Sequence, residues 1–163
     1  MDASIIIPTF NRSDVLARTL RSLADLDYSP DRWEAIIVDD GSASDTEAVT
    51  TLLLKSTRAP VRYIRQLNSG AAAARNRGAA AARGRFLVFI DNDILVEPNF
   101  LRLHMEALNN NPGCWVVGRV VHPAELRSTP FGRYRDLTWE AFHCSHRENG
   151  IQATEGITAA NLS

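Results

Sequence analysis

Two carboxylates separated by one residue, in Asp91-Asn92-Asp93, are the feature of this sequence with the clearest chemical consequence. They directly follow Phe86–Ile90, an apolar run with the length and composition of a buried β-strand. Alternate residues of an extended chain point to the same side, so the two carboxylates are expected to converge. Converging carboxylates repel unless arginines neutralise them or a hard divalent cation binds there. We favour the cation and predict that Asp91 and Asp93 bind Mn²⁺ or Mg²⁺.

Apolar segments alternate with helical patterns along the first two thirds of the chain, which is typical of repeated strand-helix-strand units. We therefore predict an α/β fold in which helices flank a mostly parallel sheet. The predicted strands are the apolar segments Ser4–Ile7, Ala35–Val38, Val61–Ile64, Phe86–Ile90 and Trp115–Val121. The first helix is expected to begin after a cap at Ser13 or Asp14, and the second after Ser44 and Asp45.

Polar motifs follow three of the predicted strands at their carboxyl ends, which is where ligands bind in an open parallel sheet. They are Pro8-Thr9-Phe10-Asn11, Asp39-Asp40-Gly41-Ser42 and Asp91-Asn92-Asp93. In the second motif Gly41 permits a tight turn, and Asp40 can accept a hydrogen bond from a base N–H or a ribose hydroxyl. Taken alone, this motif is equally compatible with a polar turn that caps a helix. Three such motifs at one edge favour a binding site.

A helix start with small residues and fixed cations lies between the third and fourth strands, where Ser69 and Gly70 precede Arg75, Asn76 and Arg77. Backbone N–H groups at a helix start and guanidinium groups both bind phosphate oxygens. The segment is therefore suited to a diphosphate that faces a metal. The alternative is that these arginines form a solvated helix face.

Length and composition predict one globular domain. The chain has 163 residues, is 45% hydrophobic and 23% charged, and carries a formal net charge of −1. This balance gives no electrostatic reason to expect nucleic acid as a partner. The apolar stretch near the start, Ile5–Ile7, is too short for a signal peptide or a membrane span, so we predict a cytoplasmic protein without a transmembrane segment.

Four segments together resemble the nucleotide-binding half of the family 2 glycosyltransferases, which have the Rossmann-like GT-A fold of nucleotide-diphospho-sugar transferases. These segments are Ile5–Asn11, Val38–Ser42, Ala74–Gly78 and Phe89–Asp93, in this order and spacing. Each motif alone is weak, whereas their conjunction is specific. Asn161-Leu162-Ser163 is also similar to the segment that opens the acceptor half of the family.

The resemblance implies a role for each site residue. Asp40 would hold the nucleotide base, Arg75 would lie near the diphosphate, and Asp91 and Asp93 would serve the ribose and the metal. Asp39 would either join this site or orient the turn. The predicted nucleotide-sugar-binding residues, of which Pro8 and Thr9 line the base and ribose pocket, are Pro8, Thr9, Asn11, Asp39, Asp40, Arg75, Asp91, Asn92 and Asp93.

By the same resemblance the reaction would be an inverting, metal-dependent sugar transfer. The expected donor is a UDP-sugar, and the acceptor is a hydroxyl group of a saccharide, a lipid or another molecule. The metal would neutralise charge on the departing nucleoside diphosphate while a general base deprotonates the acceptor. Family members carry this base downstream of the Asn-Leu-Ser segment, so we expect a C-terminally truncated chain with the base beyond Ser163. The catalytic residue stays unassigned, with Glu140 and Glu155 as substitutes.

We accordingly expect residues 1–121 to form the nucleotide-sugar-binding region and residues 122–163 to begin a loop-rich, incomplete acceptor side. The main alternative is a non-catalytic nucleotide-sugar-binding or partner-binding domain. A phosphoacceptor signalling module also places aspartates after strands, but it needs a lysine far downstream, and the only lysine, Lys55, lies between the aspartate motifs. A nucleotidyltransferase is disfavoured because the first strand is not followed by a glycine-rich, lysine-bearing loop.

Overall fold

The computed structural model describes residues 1–43, 45–54, 57–118, 129–130, 133–134 and 161–162. The described residues through Gly118, together with Asn161 and Leu162, belong to one compact unit, and those at 129–134 belong to a second unit. The first unit contains the sheet and the candidate site. Within the described ranges, no helix combines the length and the apolarity needed to cross a membrane.

The first strand of the chain lies at the centre of the sheet and has two strands on each side. Its strands in the described residues are β1 (Ala3–Thr9), β2 (Trp33–Asp39), β3 (Val61–Arg65), β4 (Phe86–Ile90) and β5 (Asn161–Leu162), in the order β3-β2-β1-β4-β5. The first four strands are parallel, and β5 is antiparallel to β4. The strand order reverses between β1 and β4. Such a switch point opens a crevice beyond the carboxyl ends of the two strands.

Helices cover both faces of this sheet, which explains why its central strands are continuous apolar runs. The helices are α1 (Ser13–Ala24), α2 (Thr46–Leu54), α3 (Ala71–Ala81) and α4 (Phe100–Asn110). Leu16 of α1 and Leu101 of α4 share one core with Ile5 and Ile7, all fully buried. On the opposite face, α3 packs so closely that a Cβ atom at Gly78 would lie 2.5 Å from Ile6 Cγ2.

Three local predictions can be compared with the structure. The predicted cap of α1 at Ser13 or Asp14 is wrong, because Arg12 occupies the N-cap position without a side-chain capping bond. Asp45 does cap α2, since its Oδ1 accepts a hydrogen bond from the Ala48 N–H at 3.0 Å, whereas Ser44 lies outside the described residues.

Of the strand predicted at Trp115–Val121, residues 115, 116 and 118 are not in a strand and 117 forms only an isolated bridge. Trp115 is 66% exposed and does not supply the buried face that a strand needs; residues 119–121 lie outside the described ranges.

A buried histidine on α4 predicts a pH dependence of folding. His104 stacks at a tilt on Phe100, with ring centroids 4.6 Å apart, and burial lowers its pKa from 6.5 to about 4. The unfolded chain therefore binds this proton at a higher pH than the folded chain does. We expect the free energy of unfolding to fall as the pH drops from 6.5 to 4, by up to roughly 3 kcal/mol from this residue.

Urea unfolding measured between pH 4 and 7 checks this expectation. His104→Gln keeps a polar side chain that does not titrate in this range, so the variant should show a shallower loss of stability than the unaltered chain. The same slope in both proteins would contradict it.

Candidate functional site

A cleft of about 290 Å³ lies at the switch point, beyond the carboxyl ends of β1 and β4. Its lining contains three carboxylates and two guanidinium groups, and consists of Pro8, Thr9, Phe10, Arg12, Asp40, Ala71, Arg75, Asp91, Asn92 and Asp93. Seven of the nine predicted site residues are among them, while Asn11 and Asp39 are not. Phe10, Arg12 and Ala71 were not predicted. Phe10 and Arg12 adjoin Asn11 at the end of the first motif, and that position was the available signal for them.

Each carboxylate of the Asp91-Asn92-Asp93 motif has its own arginine. Arg75 Nη2 donates to Asp91 Oδ1 at 2.5 Å, and Arg12 Nη1 donates to Asp93 Oδ2 at 3.2 Å. Arginine neighbours are the alternative to a cation that the sequence left open, and each of the two carboxylates has one. Each guanidinium group engages one oxygen of its carboxylate, and the side chains of Asp91 and Asp93 remain 35% and 49% exposed.

Whether a metal fits beside Asp91 and Asp93 depends on the ligands available there. In the part of the chain that the structure describes, no three or more His, Cys, Asp or Glu residues are grouped as ligands. The described residues therefore offer two carboxylates at this position and not a complete cage. Mg²⁺ and related hard cations are commonly bound by one or two carboxylates, with substrate phosphates and water supplying the remaining oxygens. The two carboxylates fit a cation that is shared with a phosphate ligand.

Arg75 supplies fixed positive charge beside these carboxylates. It lies in the second turn of α3, whose first residue, Ala71, also lines the cleft. Its Nε atom is buried and has no hydrogen-bond partner among the described residues. A buried guanidinium N–H without a partner costs free energy, and a phosphate or carboxylate oxygen would relieve that cost. Arg75 therefore fits an anionic ligand.

Asp40, which also lines the cleft, is held by the loop that precedes α3. Its Oδ1 accepts hydrogen bonds from Gln66 Nε2 and the Ser69 N–H, and its Oδ2 accepts one from the Gly70 N–H, all at 2.8 Å. Burial alone would raise the pKa of Asp40, but these three hydrogen bonds outweigh it and lower the pKa below its ordinary value of 3.8. Asp40 is therefore a fixed anion at neutral pH.

Gly41 is required by the turn that follows Asp40. Its φ angle is +84°, which favours glycine, and a Cβ atom there would lie 3.0 Å from the Asn68 backbone nitrogen. The loop that binds Asp40 is thus packed directly against this turn.

Asn11 and Asp39 brace the loops and do not line the cleft. Asn11 has a positive φ angle of 52°, its N–H donates to Ser42 Oγ at 2.8 Å, and its Oδ1 accepts from the Ala43 N–H at 2.7 Å. Asp39 is fully buried and accepts hydrogen bonds from the Ser42 N–H at 2.8 Å and the Tyr63 hydroxyl at 2.5 Å. Burial, together with the adjacent Asp39, raises the pKa of Tyr63. Of the two roles left open for Asp39, these contacts match the orientation of the turn.

The sequence matches glycosyl transferase family 2 over residues 4–157. The chain belongs to this family. It is 36% identical over 101 residues to validoxylamine A glucosyltransferase of Streptomyces hygroscopicus subsp. limoneus. The aligned residues cover 61% of this chain and 22% of that protein.

Solved structures share the fold. TarS 1-349 of S. aureus in complex with UDP-GlcNAc matches with a TM-score of 0.64 and 26% identity, covering 79% of this chain and 39% of that one. The mannosyltransferase PcManGT from Pyrobaculum calidifontis, in complex with GDP-Man and Mn²⁺, matches with a TM-score of 0.68 and 23% identity, covering 77% and 38%. The GT-A fold predicted from the sequence is thereby confirmed. The chain spans well under half the length of each of these three proteins.

Proposed function

We propose that this chain is the donor-binding part of an inverting, metal-dependent glycosyltransferase. The observation that carries the proposal is that one cleft brings together Asp40, the pair Asp91 and Asp93, and the partly unsatisfied Arg75. This combination provides a buried acceptor for a nucleobase. It also provides carboxylates and guanidinium groups for a diphosphate with its cation.

Charge explains why a cation would be needed. The cleft lining has three carboxylates against two arginines, so it is negative before a ligand arrives. A nucleoside diphosphate adds further negative charge next to Asp91 and Asp93, and in a partly buried site that repulsion is weakly screened. A divalent cation, when bound, neutralises charge on the leaving diphosphate.

The residues of this chain would bind and orient the donor. Asp40 would accept a base N–H through the Oδ2 atom, which takes only one of its three protein hydrogen bonds. Arg12 and Arg75 would exchange their carboxylate partners for phosphate oxygens once a cation neutralises Asp91 and Asp93. This exchange makes Arg12, an unpredicted residue, part of the proposed diphosphate site.

The donor is proposed to be a UDP-sugar and the acceptor a hydroxyl group. Support comes from the similarity to TarS, which was solved with UDP-GlcNAc; the fold neighbour PcManGT was solved with GDP-Man and Mn²⁺. The substitute bases, Glu140 and Glu155, lie outside the described residues. The regions 1–121 and 122–163, the cytoplasmic location and the non-catalytic alternative stay as predicted from the sequence.

Titration calorimetry with UDP tests the proposal. We expect UDP to bind the chain in the presence of Mn²⁺ at least about tenfold more tightly than in its absence, because the cation bridges carboxylate and phosphate oxygens. Excess chelator should reverse this gain, and Mg²⁺ should replace Mn²⁺ in part. Equal UDP affinity with and without a divalent cation would contradict a metal-dependent donor site.

A further inference from the structure

The segment that carries Asp91 and Asp93 has no regular secondary structure between β4 and α4, so other elements must fix it. A tight turn begins it, closed by the Ile94 N–H, which donates to the Asp91 carbonyl at 3.2 Å. Asn92 and Asp93 are the two central residues of this turn. Any rotation of the peptide between them changes the direction of the Asp93 side chain.

Helix α1 holds this turn and the residue Val96 after it through two hydroxyl groups that lie one helical turn apart. Thr19 Oγ1 donates to the Asn92 carbonyl at 2.8 Å. Ser22 Oγ accepts from the Val96 N–H at 3.1 Å and donates to the Thr19 carbonyl at 2.7 Å. These contacts join the same face of α1 to the turn and to Val96, two residues beyond it.

The Asn92 side chain ties the same turn to β1. Its Nδ2 donates to Thr9 Oγ1 at 3.0 Å, so this side chain is directed at the strand end. Thr19, Thr9 and Asn92 are 0%, 4% and 9% exposed, and water has little access to replace these hydrogen bonds. The turn is therefore held by two buried hydrogen bonds, one to the carbonyl of the peptide that precedes Asp93 and one from the side chain of Asn92.

We propose that Thr19 and Asn92 are positioning residues that aim Asp91 and Asp93 at the cation and diphosphate. The inference rests on the proposed function, but it assigns a role to α1 that the cleft lining does not reveal, because Thr19 lies behind the turn and not in the cleft. Outer residues that orient metal-binding side chains typically change metal affinity by about 10–100-fold when they are lost. Here Thr19 holds the backbone carbonyl that precedes Asp93 and not the carboxylate itself, so its effect would pass through the direction of the turn.

The substitution Thr19→Val tests this role, because valine keeps the shape and removes the hydroxyl. Thr50 on α2 provides a matched control, since it is also a buried threonine whose Oγ1 donates to a backbone carbonyl, that of Thr46, at 2.8 Å. The quantity to measure is the ratio of UDP affinity with Mn²⁺ to UDP affinity without it. Thermal unfolding of both variants records any general loss of stability.

We expect Thr19→Val to reduce this ratio by about tenfold, and Thr19→Ser, which restores the hydroxyl, to recover most of it. Thr50→Val should leave the ratio unchanged even where its melting temperature falls as much. Asn92→Ala removes the bond to Thr9 together with a side chain that lines the cleft; it should reduce the ratio in the same direction and serves if Thr19→Val does not fold.

Two outcomes would overturn the assignment. If the unaltered chain gains UDP affinity from Mn²⁺ and Thr19→Val or Asn92→Ala gains the same amount, the hydrogen bonds of Thr19 and Asn92 do not orient the carboxylates. If Thr50→Val loses the gain as Thr19→Val does, the effect is general destabilisation. Failure of the unaltered chain to gain UDP affinity from Mn²⁺ would instead refute the proposed function itself.

Discussion

Replacing Asp93 with alanine is expected to remove most of the Mn²⁺-dependent affinity for UDP, a loss on the order of 10–100-fold. Interactions with a charged group of this kind contribute about 1.5–3 kcal/mol, and 1.4 kcal/mol corresponds to a factor of ten. Without Mn²⁺ the same variant should bind UDP no more weakly than the unaltered chain. The reason is that removing a carboxylate lowers the repulsion on the diphosphate and releases Arg12, which pairs with Asp93 at 3.2 Å.

A loss of UDP affinity with Mn²⁺ but not without it would identify Asp93 as a ligand of the cation. Asp27→Ala is the matched control, because Asp27 also pairs with an arginine, Arg102, at 3.3 Å, and both pairs are about half exposed. The control should leave UDP affinity unchanged with and without Mn²⁺. An equal loss in Asp93→Ala under both conditions would mean that Asp93 supports the fold of the cleft and does not bind a cation.

The parallel strands and the shared cleft were accessible from the sequence because both depend on simple patterns. Continuous apolar runs mark strands that are buried on both faces, and parallel strands bring their carboxyl ends to one edge. For that reason Asp40, Asp91 and Asp93 line one cleft, as predicted. The prediction that the chain is extended at Asp91 and Asp93 is wrong, because the chain turns after Ile90. Each carboxylate therefore meets a different arginine.

Contacts between distant segments could not be read from local patterns. Thr19 occurs among apolar residues at helical spacing, and a polar residue on that face was the available signal that something buried needs a hydrogen bond. Its partner, the Asn92 carbonyl, lies 73 residues away and is a backbone atom, so no side-chain motif identifies it. The bracing role of Asn11 depends in the same way on a loop 32 residues away.

The substitution Asp40→Asn is expected to impair both folding and nucleotide binding, although it changes one atom. Three donors surround the carboxylate, two at Oδ1 and one at Oδ2. An asparagine must direct its NH₂ group at one of these two sides, so at least one N–H group loses its partner at a residue that is 4% exposed. Each buried unsatisfied group costs roughly 1–3 kcal/mol, which corresponds to a fall of several degrees in melting temperature for a domain of this size.

Asp45→Asn is the matched control, because Asp45 accepts one backbone N–H at the start of α2 and asparagine caps helices equally well. The pH dependence of stability provides a second test of the role of Asp40. The pKa of Asp40 is lowered in the folded chain, so its contribution to stability is present above its ordinary pKa of 3.8 and is lost as the pH falls through the folded value. The stability difference between the unaltered chain and Asp40→Asn should therefore be largest at neutral pH and should narrow below pH 4.

For UDP binding, Asp40→Asn should cost about tenfold or more both with and without Mn²⁺, since in the proposed site the lost acceptor would bind the base and not the cation. This insensitivity to Mn²⁺ contrasts with the effect expected for Asp93→Ala, so the two variants together would map the two ends of the donor along the cleft. Calorimetry at a temperature well below the melting point of each variant keeps the comparison free of unfolding. A loss at Asp40→Asn that occurs only with Mn²⁺ would place the diphosphate, and not the base, at this carboxylate.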